Sequence, residues 1–354
     1  MVYTDDDPDV RLMAVFALGE IESPNASEAV VRTAIDPKAP PDIRARALEA
    51  AGKIVAANAE DPRMSVLKES IVRVLTTHSN DSAIQNTSVI RAGLTAVLRA
   101  RPDGGEDAVI PFLAHSSPEV VADALNTLAR LRSKNANPQT RDLLKTHKDP
   151  IVRANAARLL GAAEDKEALD LLIAASNDSD SRVRVSAIRS LAQLRDAKAG
   201  VPLIERGDVL LAAYKRSKFA HPAEKSEMLE IATALGRVLA NSDNGRAVRL
   251  LQGMLEADGA ISTEIPIARL RISQAPGPGE YPEMRSWRHL STMAQLIGEM
   301  AVIEPSSELG KERQAEAPGV LRPLTTAFAG PLTEEDKKLV LAAPEVLTSY
   351  AKFK

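Results

Sequence analysis

Histidines, arginines and serine–lysine pairs are the residues whose types and spacing could do chemistry in this chain. His78, His115 and His147 recur at similar places along the sequence, which raises the question of a metal site. Ligands of one zinc ion converge to within about 2 Å of it, whereas packed helices stand about 8–10 Å apart. No carboxylate–histidine pair at ligand spacing completes a site, so the histidines are read as helix-end or turn residues favoured by the helix dipole. Ser65-Val66-Leu67-Lys68 and Ser349-Tyr350-Ala351-Lys352 match the Ser-x-x-Lys string of serine acyl-transfer enzymes, but neither has the accompanying motifs. The metalloprotease string, the phosphate-binding loop, the hydrolase elbow and the dinucleotide fingerprint are all missing. The chain has no cysteine, which excludes thiolate zinc sites, disulfides and a cysteine nucleophile. No cofactor and no metal are expected, and the chain reads as non-catalytic.

Composition points the same way. The chain has 354 residues, a net charge of −3, 44% hydrophobic and 26% charged residues. Alanine is about one residue in six, and there are one Trp, four Tyr and five Phe. A near-neutral balance argues against nucleic acid as the partner. Residues 1–7 carry no secretion signal, and no apolar run reaches the ~18–20 residues of a membrane span. This favours a soluble, cytoplasmic protein, although the compartment is not written in the sequence.

The elements that would position these residues emerge from an internal repeat. With Val10, Ile43, Ile84, Val120, Val152 and Val183 as anchors, a small residue follows at +4: Ala14, Ala47, Ser88, Ala124, Ala156, Ala187. Val15, Leu48, Val89, Leu125, Ala157 and Ile188 stand at +5, and Gly19, Gly52, Gly93, Ala129, Gly161 and Ala192 at +9. Offsets 0, 4, 5 and 8 share one face of an α-helix. Asp7-Pro8, Ser117-Pro118 and Asp149-Pro150 read as an N-cap followed by proline in the first turn. Second amphipathic stretches fall between the copies: 28–35, 66–76, 106–114, 139–145 and 166–175. Each repeat is therefore a helix pair, A then B, with the small residues allowing close approach.

These Asp-Pro-x-Val-Arg…Ala…Leu-Gly strings resemble HEAT repeats, most closely the short bacterial HEAT-like form of phycobilin lyase type. The resemblance implies an all-α, right-handed α-solenoid in which the B helices line the concave side. It implies an Asp–Arg ladder between repeats from Asp7, Asp42, Asp149 and Asp180 to Arg11, Arg44, Arg153 and Arg184. Diiron hydroxylases on HEAT repeats use His-Glu dipeptides, and none occurs here. The expected division is a solenoid over 1–260 with about seven pairs, the first incomplete. An irregular Pro/Gly linker over 261–282 and a helical C-terminal cap or appendage over 283–354 follow. The first copy is a B helix without an A helix before it, so the chain is expected to be part of a longer one extending upstream of Met1.

The expected function is that of a scaffold or adaptor gripping a protein partner along the concave groove. The candidate contacts, at offsets 3, 6 and 10 of the B helices, are Arg46, Glu49, Lys53, Asp123, Asn126, Arg130, Asn155, Arg158, Arg189 and Gln193. Tyr281, Arg285, Trp287 and Arg288 form a candidate C-terminal interface around the single tryptophan. The alternative, from the resemblance alone, is a subunit or regulatory domain of a larger enzyme of tetrapyrrole-lyase type.

Overall fold

The structure, a computed structural model, describes residues 2, 5–80, 86–217, 222–257 and 264–273. They form helices, with no strand among them. The B helices are α1 (Pro8–Ile21), α3 (Pro41–Ala57), α5 (Thr87–Ala100), α7 (Pro118–Leu131), α9 (Pro150–Ala162), α11 (Ser181–Leu194), α13 (Pro222–Val238) and α15 (Glu264–Ser273). The A helices alternate with them: α2 (Ser27–Ile35), α4 (Met64–Asn80), α6 (Gly105–Val109), α8 (Asn137–Thr146), α10 (Leu169–Ala175), α12 (Gly200–Ser217) and α14 (Gly245–Ala257). The chain divides into two compact units, Met1–Ser190 and Leu191–Lys354.

Local chemistry explains the starts and stops of the B helices. Asp7 accepts from the Asp9 amide at 2.9 Å, Asn86 from Val89 at 3.2 Å and Asp149 from Ile151 at 2.7 Å. Each satisfies a first-turn N–H that the helix itself cannot, and Pro8, Pro118 and Pro150 need no such partner. At the other end a left-handed residue stops the helix: Glu22, Arg101, Arg132, Glu164 and Arg195, with φ of 45–57°. All five stand at one offset, +12, when the third copy is anchored at Val89.

That anchor is a correction. Ile84 lies outside the described residues, and α5 starts at Thr87, so its third helical residue is Val89, matching Val120 in α7 and Val152 in α9. The repeated small residues hid the slip, because Ser88, Val89 and Gly93 satisfy the wrong register as well. The A element 105–114 also differs from one continuous helix: α6 stops at Val109 and Ile110–Ala114 is a 3-10 turn. Pro111 has no N–H to continue the α ladder.

In the first unit, α1, α3, α5, α7 and α9 pack successively, and α3, α5, α7 and α9 each also pack on an A helix. Ile43, Leu48, Ile54, Leu67, Ile71, Leu75, Ile90, Leu94, Leu125 and Leu128 are fully buried between them. Each such side chain contributes about 1.5–3 kcal/mol on burial. The small residue at +9 sets the B–B approach. A Cβ on Gly19 would stand 3.0 Å from Ala50 Cα, and one on Gly52 3.0 Å from Ala96 Cα. Two stacking contacts are polar and identical in register: Thr127 Oγ1 donates to the Leu94 carbonyl at 3.4 Å, and Ser190 Oγ to the Ala157 carbonyl at 2.7 Å.

In the second unit α12 packs on α13 and α14, and α15 packs on both α13 and α14. Glu264–Ser273 is helical where the sequence suggests an irregular linker over 261–282. Ile265, Ala268 and Ile272, at helical spacing, are buried. Proline at 266 disguised the helix, yet in a first turn it removes no needed hydrogen bond. The expected C-terminal cap over 283–354, the Ser349–Lys352 string and the tryptophan cluster lie outside the described residues.

Candidate partner-binding face

Within α3 the +1 residue Arg44 reaches the A helices, at Ala34 and His78, and in α1 and α3 the +9 residue meets the next B helix, at Gly19 and Gly52. Offsets +3, +6 and +10 stand about 180° from the +1/+8 direction, since each residue turns 100°. This face carries the candidate groove residues. Arg46, Glu49 and Lys53 lie on α3, Asp123, Asn126 and Arg130 on α7, Asn155 and Arg158 on α9, and Arg189 on α11. Arg130, Arg158 and Arg189 are exposed, and the other six are half-buried. Gln193, exposed on the last turn of α11, falls in the second unit. The corrected register adds Thr95 and Arg99 of α5, both exposed and both missed from sequence.

The side chains of this face join neighbouring repeats. Lys53 of α3 pairs with Glu20 of α1. Arg46 pairs with Glu49 at 2.5 Å and lies 5.4 Å from the Phe16 ring centroid, with the Lys53 ammonium 5.8 Å from the same ring. Arg91 of α5 pairs with Asp123 of α7 at 2.6 Å, and the hydrogen bond to the Asp123 carboxylate, with its charge, holds the Arg91 guanidinium above its usual range. Arg158 of α9 donates to Asn126 Oδ1 of α7 at 2.6 Å. Exposed pairs of this kind contribute little to stability, about 0–1 kcal/mol each. Met13 (60% exposed) and Phe16 (37%) continue the face on α1.

The arginines after the anchors do another job. Arg11 Nε donates to the Val2 carbonyl, Arg44 Nε to Ala34, Arg153 Nη1 to His147 and Lys148, and Arg184 Nη1 to Asp178 and Ser179. They bind the carbonyls of the chain leading into their own helix. The Asp–Arg ladder implied by the resemblance takes a different form. Asp7, Asp149 and Asp180 cap their own helices, and Asp42 accepts from the Ile43 amide. Arg153 does take a carboxylate, that of Asp178 in the following loop, at 2.8 and 2.9 Å. Reach explains the exchange: a first-turn Asp is committed to amides two residues ahead, while Asp178 sits in the loop opposite the Arg153 fork.

The histidines split as well. His115 and His147 do the same work: Nδ1 accepts the amide of Ser117 at 3.0 Å and of Asp149 at 3.1 Å, closing the turn into the next B helix. His78 is buried, and its Nε2 accepts from Arg44 Nη2 at 3.3 Å. Burial holds the Arg44 guanidinium below its usual range, partly offset by Asp36. Beside it lies an open cleft of about 680 Å³ lined by Ile35, Pro37, Lys38, Arg44, Arg73 and Val74, with other residues of the same turns. Among the described residues no group of three or more His, Asp or Glu could hold a metal ion. No helix among them is long and apolar enough to cross a membrane.

Comparison with known proteins fits this architecture. The model for HEAT repeats matches residues 137–209, the stretch from α8 into α12. No curated protein sequence matches. Among solved structures, Kap95p, described as binding RanGDP, is 11% identical with a TM-score of 0.53, covering 97% of this chain and 55% of that one. An engineered protein is 18% identical with a TM-score of 0.49, covering 98% of this chain and 97% of that one. The complex of CpcE and CpcF of phycocyanin lyase from Nostoc is 20% identical with a TM-score of 0.45, covering 68% of this chain and 94% of that one. Residues 137–209 thus match HEAT repeats, and the described helices on either side of them are also paired A and B helices.

Proposed function

We propose that the chain is a protein-binding scaffold that grips its partner along the outer face of the B helices. One observation carries the reading. At the +3, +6 and +10 positions of α3, α5, α7, α9 and α11 stand mostly polar and charged side chains, exposed or half-buried, with Ala92 of α5 the buried exception. Arg99, Arg130, Arg158 and Arg189 are exposed there, on α5, which Gly52 of α3 meets closely, and on α7, α9 and α11, where Thr127 and Ser190 tie α7 to α5 and α11 to α9. A rigid backbone carrying a row of such side chains suits an extended partner, because little order must be gained on binding.

The test is capture of partners from an extract by the full chain and by its Arg158→Glu/Arg189→Glu variant. Loss of the captured proteins with the variant is expected. The same proteins captured by both would count against this face.

A further inference from the structure

We propose that the face between α5 and α9 takes an extended acidic protein segment bearing a carboxylate at every third residue. This rests on the partner-binding reading above and names the chemistry of the partner.

The charges on the face are unevenly satisfied. Part of the face neutralises itself: Lys53 has Glu20 and Arg46 has Glu49 toward α1, and Arg91 of α5 has Asp123 of α7. The acids of α7, Glu119 and Asp123, lie in its first two turns, where Glu119 accepts from Ser117 and Asp123 from Arg91, and α9 carries no acid. Arg99 of α5 and Arg130 of α7 are exposed, and neither makes a hydrogen bond or ion pair among the described residues. Arg158 of α9 is held by Asn126, a neutral acceptor, so its charge stays uncompensated. Three guanidinium groups on three consecutively packed helices thus face solvent without a carboxylate. An acidic ligand supplies what the fold does not, and guanidinium–carboxylate pairing can be bidentate.

Spacing selects the ligand further. Arg99 and Arg130 occupy the same offset on neighbouring B helices, so one helix spacing, about 8–10 Å, separates their Cα positions across the stack. A polyproline-II segment rises about 3.1 Å per residue with three residues per turn, so every third side chain falls on one side about 9 Å apart. A β-strand repeats one side about every 6.6 Å and falls out of step. Single-stranded nucleic acid is also anionic, but its binding relies on aromatic platforms, and this stretch of the face has none.

The experiment uses the full chain and labelled twelve-residue peptides at low salt, read by fluorescence anisotropy. One peptide carries Glu at every third position between prolines, a second has the same composition with the Glu residues contiguous, and an oligothymidylate of equal charge is the competitor. The spaced peptide is expected to bind about fivefold or more tightly than the contiguous one. Arg130→Glu should weaken it about tenfold, while Lys145→Glu, an exposed change on α8, leaves it unaltered. Circular dichroism confirms that both variants fold. Equal binding of the two peptides, no effect of Arg130→Glu, or equal competition by the oligothymidylate would overturn the proposal. If the peptides fail while partner capture still depends on Arg158 and Arg189, this inference falls and the partner-binding face stands. If capture is also indifferent, both fall.

Discussion

Replacing Gly236 with alanine tests the packing rule where the repeat is least regular. Gly236 lies in α13, and a Cβ built there stands 2.6 Å from Ala268 Cα and 2.9 Å from Ala268 Cβ in α15. Carbon atoms in good contact stand about 3.5–4.0 Å apart, so the helices must separate by about 1 Å. The obstacle is backbone, which cannot swing aside as a side-chain tip can. Overpacking of this kind costs about 1–3 kcal/mol, and alanine's better helix propensity returns about 1 kcal/mol. A net loss of up to about 2 kcal/mol is expected. Gly245 is the control, because its added Cβ meets only the tip of Arg249, Nη1 at 3.4 Å. Gly245→Ala should be neutral or slightly stabilising. Urea denaturation of the full chain gives the magnitudes, and amide exchange should show the Gly236→Ala loss in α13 and α15. A Gly236→Ala protein about 1 kcal/mol more stable than its parent would refute the reasoning, since propensity alone would then decide.

Three further outcomes follow from the same geometry. Arg206→Met removes one partner of the fully buried Glu227, 2.6 Å away, and should destabilise the fold by about 1–3 kcal/mol in chemical denaturation. Glu164, exposed with φ of 55°, should be replaceable by glycine with a gain of about 0.5–1 kcal/mol in thermal unfolding, because the left-handed region penalises a Cβ. The hydrogen bond from Arg182 holds the Asp180 carboxyl down at about 2, so its contribution to stability is present above about pH 4 and is lost as pH falls toward 2. Arg182→Ala should return the Asp180 titration, followed by NMR, toward the ordinary carboxylate range.

Much of the fold was legible because helical stacking leaves a period. Small residues such as Gly19 and Gly52 are required where backbones meet, and Asp-Pro caps mark the first turns. The same alanine richness that makes close packing feasible also blurred register, as at Ile84 against Val89. α15 escaped because Ile265, Ala268 and Ile272 are too few to outweigh a nearby proline in a window of sequence. The candidate face was legible by offset but not by partnership. Arg91 meeting Asp123, or Arg153 choosing Asp178 over Asp149, depends on how far a side chain reaches across a helix boundary. The stop residues at +12 were invisible as a class because Glu and Arg, unlike glycine, announce no left-handed turn.

Site-specific photo-crosslinking tests the central claim most directly. A photoreactive residue at Arg130, exposed on a B helix, is compared with one at Asp142, exposed on the A helix α8. The account predicts crosslinked partner from position 130 and none from position 142. Equal crosslinking from both positions, or crosslinking from 142 alone, would contradict it.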